Sequence, residues 1–293
     1  MIDISFSFNL ITDLQAMWQY DFMQHAFEAG TIIAIIAGIV GYFVVLRRSS
    51  FAAHALSHIG FAGAAGAVLF GVDPIIGLLL FTSGGGITIG LLGRRAAARD
   101  VQIGTVLAFM LGLGVLFISL YSGYATEAYS ILFGEILGIS ANDVLVTLVA
   151  SLAILLLTAA VYRPLLFASL DEDVAEAKGL PTLFLGVVFM LLVAVATSIS
   201  VQVVGILLIF ALMVTPAAIA QRLSKQPRNT IIISVFIALM ATWIGLFVSF
   251  YVPYPVSFFI TSIVFAIYLL TLVFQRINTS FIYKRFHFNE NEQ

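Results

Sequence analysis

Nine stretches of about twenty mostly apolar residues, divided by short gaps, commit this chain to crossing a membrane repeatedly, because some 20 such residues span a bilayer as a helix. They fall at about 26–46, 52–70, 74–92, 101–121, 143–162, 182–200, 202–220, 229–250 and 255–275. A soluble fold could not hide them. Of the 293 residues, 61% are apolar and only 10% charged, against about 25% charged in an ordinary soluble domain. The predicted fold is an all-α integral membrane protein of about nine transmembrane helices. Between the sixth and seventh stretches only the region around Ser198, Ser200 and Gln202 is left to turn the chain. One broken helix there is the alternative, and it would invert every later span.

The charges test the count. Lys and Arg collect on the cytoplasmic side of membrane proteins. With nine spans and the N-terminus outside, the cytoplasmic segments hold Arg47 and Arg48, then Arg94, Arg95 and Arg99, then Arg163 and Lys178, then Arg222, Lys225 and Arg228, and finally Arg276, Lys284 and Arg285. All 13 basic residues thus share one face. The opposite face keeps only acids: Asp3, Asp13, Asp21, Glu28, Asp73, Glu127, Glu135 and Asp143. Eight spans do not produce this sorting, so the C-terminus is expected in the cytoplasm.

Three segments follow. Residues 1–25 form an extracytoplasmic N-terminal segment, 26–275 the membrane domain, and 276–293 a cytoplasmic tail. No Lys or Arg precedes Arg47, so the start lacks the positive region of a signal peptide. Leu10, Ile11, Leu14, Met17, Trp18 and Phe22 recur near helical spacing, which predicts a helix lying on the membrane surface.

Composition also excludes functions. The net charge of -2 and the lack of a basic domain argue against nucleic-acid binding. The absence of cysteine rules out disulfides and thiolate metal sites. No phosphate-binding G-x-x-x-x-G-K-S/T loop occurs, since the three lysines follow Ala177, Ser224 and Tyr283. No Asp, Glu, Lys or Arg lies mid-span, where ion-coupled carriers keep one. Uphill transport by this chain therefore needs an energy source on another chain.

Small residues crowd spans two to four: Gly60, Gly63 and Gly66, then Gly86, Gly90 and Gly93, then Gly104, Gly112 and Gly114. They let membrane helices approach closely. Ser83-Gly84-Gly85-Gly86 predicts a local break in span three.

His54 and His58 carry the chemistry in AAHALSHIGFAG. Their i, i+4 spacing puts both imidazoles on one helix face, the arrangement by which one helix gives a zinc-like ion two ligands. Ser57 lies beside them, in the inner half of span two. Metal contact, hydrogen bonding between helices and an interfacial position are all open at this point. Outside, Glu135 and Asp143, with Glu127 and Asp73, would make an acidic mouth that concentrates cations, or a plain solvated loop.

Together these segments resemble the permease subunits of bacterial zinc/manganese/iron ABC importers, over about residues 26–275. The resemblance is carried by Arg47-Arg48 followed by Ala55-Leu56-Ser57-His58, Gly60, Ala62 and Gly63. It continues through Asp100, Ile103 and Gly104, and through Leu132-Phe133-Gly134-Glu135-Ile136-Leu137-Gly138. Val204-Gly205, Leu207-Leu208, Ala211-Leu212 and Pro216-Ala217-Ala218 complete it. Two positions depart: the family commonly has Asp where His54 and Glu135 stand. If position 54 touches metal, imidazole in place of a hard oxygen suits zinc better than manganese.

The resemblance implies a prokaryotic cytoplasmic (inner) membrane location and a homodimer with a second permease copy. It also implies cytoplasmic ABC ATPase subunits that supply the work, and an extracytoplasmic metal-binding protein that delivers the ion. The cargo would be a divalent metal, zinc first and then manganese or iron, with no cofactor bound stably. His58, His54 and Ser57 would line the path, and Glu135 and Asp143 would draw the ion in. It gives the acidic segment 171–181 the role of a short cytoplasmic coupling helix docked on the ATPase. Ala175, Ala177, Gly179 and Leu180 would pack there, and Asp171 and Asp173 would cap its start. Two alternatives stand beside this expectation: a permease for a metal chelate such as a siderophore or cobalamin, and a cation channel or carrier that needs no ATP.

Overall fold

The computed structural model describes residues 10–92, 96–121, 134, 136–252 and 254–290, and among these it contains helices and no strand. In chain order the helices are α1 (Leu10–Met17), α2 (Asp21–Leu46), α3 (Ser50–Leu69), α4 (Pro74–Leu91), α5 (Ala96–Leu120), α6 (Ala141–Leu170), α7 (Glu172–Ala177), α8 (Thr182–Val204), α9 (Ile206–Leu223), α10 (Pro227–Tyr251) and α11 (Val256–Glu290). Among the described residues nine of them, all but α1 and α7, are long and apolar enough to cross a membrane. The expected all-α architecture of about nine spans is therefore the one found.

The most buried helices are α2, α3 and α8. α2 packs on α6, α9 and α10, while α3 packs on α4 and α5, and α4 lies along α8. α5 and α11 are outermost and show apolar side chains such as Phe109, Val115, Phe265 and Leu270 on the surface. One end of the bundle gathers the α2–α3, α6–α8 and α9–α10 joins. There Arg47 donates from Nη1 to Ser169 Oγ at 3.2 Å and lies over the Phe189 ring, and Gln221 donates to the Tyr42 carbonyl at 3.2 Å. We refer to it as the basic end.

The glycines of spans two and three serve contact rather than a break. α4 runs unbroken through Ser83-Gly84-Gly85-Gly86, which corrects the expected interruption. A Cβ added at Gly63 would collide with the Gly77 carbonyl, and one at Gly77 with the Gly63 carbonyl. The two backbones thus touch where only glycine fits, as at close membrane crossings. Further along α4, Gly86 and Gly90 face the α8 backbone at Met190 and Val187. Thr82 Oγ1 meets Ser198 Oγ across the same contact at 2.6 Å, so both buried hydroxyls are satisfied.

The narrow join between the sixth and seventh spans resolves into two helices. α8 continues through Ser198, Ser200 and Gln202 and stops at Gly205. Gly205 has φ +81°, a conformation that costs side-chain-bearing residues far more than glycine. α9 then returns toward the basic end, and both helices pack on α2 and α3. The serines expected to turn the chain do not. Ser198 Oγ instead donates to the Ala194 carbonyl at 2.9 Å, within its helix. The turn is buried and covered by Gly134, whose added Cβ would strike Val204 and Gly205. His25 Nδ1 donates to the Ile139 carbonyl at 3.2 Å and ties this covering segment to α2.

α6 runs to Leu170, past the expected end near residue 162 and through Pro164. Before α2, α1 buries Asp13 and Met17 and leaves Leu14 exposed, and Trp18, just past its end, is exposed as well. The Tyr251 hydroxyl at the end of α10 hydrogen-bonds Asp13. Phe22 belongs to α2 rather than to this first helix.

Candidate metal-contact site

α3 begins at Ser50, just after the Arg47–Arg48 turn. At 1.5 Å per residue, His54 and His58 sit roughly 6 and 12 Å along it. Their ring centroids are 4.6 Å apart and nearly perpendicular, at 83°. The His54 ring also meets Phe210 of α9, with centroids 4.7 Å apart at 63°. The pair therefore faces a neighbouring helix, and both residues are half-buried.

Nδ1 of His54 and Nδ1 of His58 are both buried and have no hydrogen-bond partner. An unsatisfied buried polar group costs about 1–3 kcal/mol. Two such atoms one helical turn apart are a cost that the fold itself does not recover. Interhelical bonding through Nδ1, one of the alternatives for this pair, is not made. The same atoms can serve an ion, since each imidazole offers a lone pair at one ring nitrogen.

Ser57, expected beside the path, is buried, and its Oγ donates to the Ala53 carbonyl at 3.3 Å within α3. Among the described residues no group of three or more His, Asp or Glu comes together. Two imidazoles are what the described residues bring to one place.

Asp143 lies apart from them, at the start of α6. Its carboxylate accepts from Ser140 N at 3.1 Å and Ser140 Oγ at 2.6 Å, while Ser140 Oγ accepts from Asp143 N. This reciprocal capping box closes the helix start. Gln202 Nε2 of α8 donates to Asp143 Oδ1 at 3.3 Å. Glu135 and Glu127 lie outside the described residues.

The segment 171–181 forms the expected short helix. Asp171 Oδ1 accepts from Val174 N at 3.0 Å as the N-cap, and Gly179, at φ +83°, ends the turn. Of the residues expected to dock a partner, Ala175 is fully buried, packed with Ala168 and Leu185 of its own chain, and Leu180 packs against the same cluster. Helical periodicity turns Ala175 inward, whereas Leu180 lies beyond α7 and returns to it through a backbone bond from its N–H to the Ala175 carbonyl at 3.1 Å. Asp173, Ala177 and Gly179 are exposed, as is Val174, a large apolar side chain that sequence reasoning missed. Beside α7 opens a cavity of about 480 Å3 lined by Arg47, Arg48, Ser169, Glu172 and Thr182, among others.

Phe210 was likewise not singled out, and Gln202 was read only as part of a turn between two spans. Phe210 is one of 26 phenylalanines in an apolar run, and nothing local sets it apart.

Residues 19–275 match the ABC 3 transport family. The chain is similar to the manganese transport system membrane protein MntC of Listeria monocytogenes, 32% identical over 81% of this chain and 85% of that protein. It is also similar to the high-affinity zinc uptake system membrane protein ZnuB of Buchnera aphidicola, 30% identical over 83% of this chain and 94% of that protein. In three dimensions it resembles PsaBC from Streptococcus pneumoniae, solved in complex with Fab. The TM-score is 0.79 and the identity 29%, covering 89% of this chain and 94% of that one.

Proposed function

Because this chain belongs to the ABC 3 transport family, we propose that it is the membrane-spanning permease of an ATP-driven importer for a divalent transition metal ion, zinc before manganese or iron. The carrying observation is the pair of buried, unbonded Nδ1 atoms one turn apart on α3. Relatives named for manganese and for zinc support the cargo class. Two imidazoles favour zinc, because manganese prefers carboxylate, carbonyl and water oxygens.

The basic end faces the cytoplasm of a prokaryotic inner membrane, in keeping with the charge bias of membrane loops. A second copy packs against the exposed apolar faces of α5 and α11, which flank the helices carrying His54 and Phe210. The path runs between the two copies. The ion is held weakly, because a path must release what it binds. Asp143 and Glu135 add negative charge at the opposite end, where a binding protein delivers the ion.

The ATPase subunits dock on α7 through Val174, Ala177 and Gly179, beside the adjoining cavity. Their closure moves α7 together with α6 and α8, to which it is joined, and so alternates access to the histidines. Ala177→Arg places a charged side chain on this exposed face and is expected to abolish ATP-dependent uptake while leaving the permease abundant in the membrane. Uptake into cells with equal permease levels measures it. Normal uptake would overturn the docking role, and uptake that persists without the ATPase would mark a channel.

Asp143→Asn keeps the size of the cap and removes its charge. It is expected to lower the initial uptake rate at low ionic strength, with the deficit fading at high salt, since such steering is screened. A deficit independent of salt would mean that Asp143 acts through structure instead.

A further inference from the structure

We propose that Phe210 is a specificity-determining residue of this permease: its ring fixes His54 crosswise to His58 and keeps water off the pair, so that an ion ready to accept nitrogen ligands passes ahead of one that keeps its oxygen shell. The proposal rests on the reading above that the histidine pair touches the ion.

A metal-ligating histidine is normally aimed by its other ring nitrogen, which donates to a carboxylate, a carbonyl or water. Here that device is missing: Nδ1 of His54 is the atom left for the ion, and no described residue hydrogen-bonds the other ring nitrogen, Nε2. The neighbours on α3 do not replace it. Ala53 and Ala55 have no reach, and Ser57 is bound to its own helix. What remains is ring contact. Phe210 lies 4.7 Å from His54, and His54 lies 4.6 Å from His58, at 63° and 83°. Tilted and edge-to-face geometries are the favoured ones for ring pairs, because the positive edge meets the negative face. The orienting group thus comes from α9, whereas both ligands come from α3.

The chemistry of the wall then matters. A phenyl ring offers no oxygen to an ion and no hydrogen bond to a water in its shell. An ion that keeps oxygen ligands gains nothing at this face, whereas zinc exchanges water for imidazole readily. Phe210 touches His54, not the ion, and so acts as a positioning residue with a consequence for selectivity.

The test is uptake of radioactive zinc and manganese by cells that carry the complete importer and lack other routes for both metals. Phe210→Ala, Phe210→Leu, Phe210→Tyr and His58→Ala are compared at matched membrane abundance. Phe210→Ala is expected to raise the half-saturating zinc concentration and to lower the zinc-over-manganese preference, each about tenfold, the scale of losing an orienting partner. The maximal rate should hold, and Phe210→Tyr, which keeps the ring but adds a hydroxyl oxygen, should restore the half-saturating concentration without restoring the full zinc preference. Unchanged preference and half-saturation in Phe210→Ala, with uptake lost in His58→Ala, overturns the role of Phe210 and leaves the permease reading standing. A fall in maximal rate alone, equal for both metals and reversed by Phe210→Leu, marks bulk packing and overturns it as well. So does a parent that carries manganese but not zinc. Normal uptake in His58→Ala removes the reading itself, and Phe210 with it.

Discussion

His58→Ala is expected to cut metal uptake at least about tenfold, since even partners that only orient a ligand cost 10–100-fold when lost. Adding His54→Ala should take uptake to background. The protein itself should survive the change. Nδ1 of His58 bonds nothing, so no hydrogen bond is lost there, and the ring is only half-buried. Initial uptake rates, divided by the amount of permease in the membrane fraction, make the measurement. Wild-type rates at wild-type abundance would take the histidines out of the path. His54→Asp tests the donor chemistry at the same place. A carboxylate there should move the preference from zinc toward manganese, because oxygen donors suit the harder ion.

Gly63→Ala, like its counterpart Gly77→Ala, should damage the fold more than a methyl group added at the other glycines of α3 or α4. The new Cβ would collide with the Gly77 carbonyl and come within 2.7 Å of the Phe81 Cβ. Neither is the loose end of a flexible chain, so α3 and α4 must separate. Overpacking of this kind costs about 1–3 kcal/mol and at times more. The contact also sets how α4 lies on α8 and how Thr82 meets Ser198. Gly84→Ala is the control, because no atom lies within 4 Å of a Cβ added there. On a helix that change is expected to be neutral, or to stabilise by about 0.5–1 kcal/mol. Thermal unfolding of both purified variants in the same detergent separates them. Equal midpoints would show that the two backbones do not touch.

Hydropathy located the spans to within a few residues because the bilayer imposes one length on every crossing helix. It missed where α6 ends. Arg163 is exposed and Pro164 lies within the helix, yet α6 continues to Leu170, and Leu165 and Ala168 are buried. It also misplaced the α8–α9 turn. Serines look like turn residues, but in an apolar bundle a hydroxyl can bond back to its own helix, as that of Ser198 does to the Ala194 carbonyl. Only glycine carries the backbone angle that the turn requires.

The site was legible in part. The i, i+4 spacing of His54 and His58 is a local property, and the helix converts it directly into a shared face. Asp143 was legible as a charge but not as a cap, because Ser140 and Gln202 had to be brought to it. The inward turn of Ala175 depends on Ala168 and Leu185, one on each flanking helix.

Apolar length, charge asymmetry and histidine spacing all act through the nearest turn of helix or through the bilayer itself, and the chain alone determined them: a multi-pass helical protein with two imidazoles on one face. Which helices touch is a different kind of fact. The Gly63–Gly77 crossing, the return at Gly205 and the seating of Phe210 on His54 each join residues far apart in the chain. Their energy comes from shape at close contact, which no local pattern encodes, so only the tertiary structure decided them.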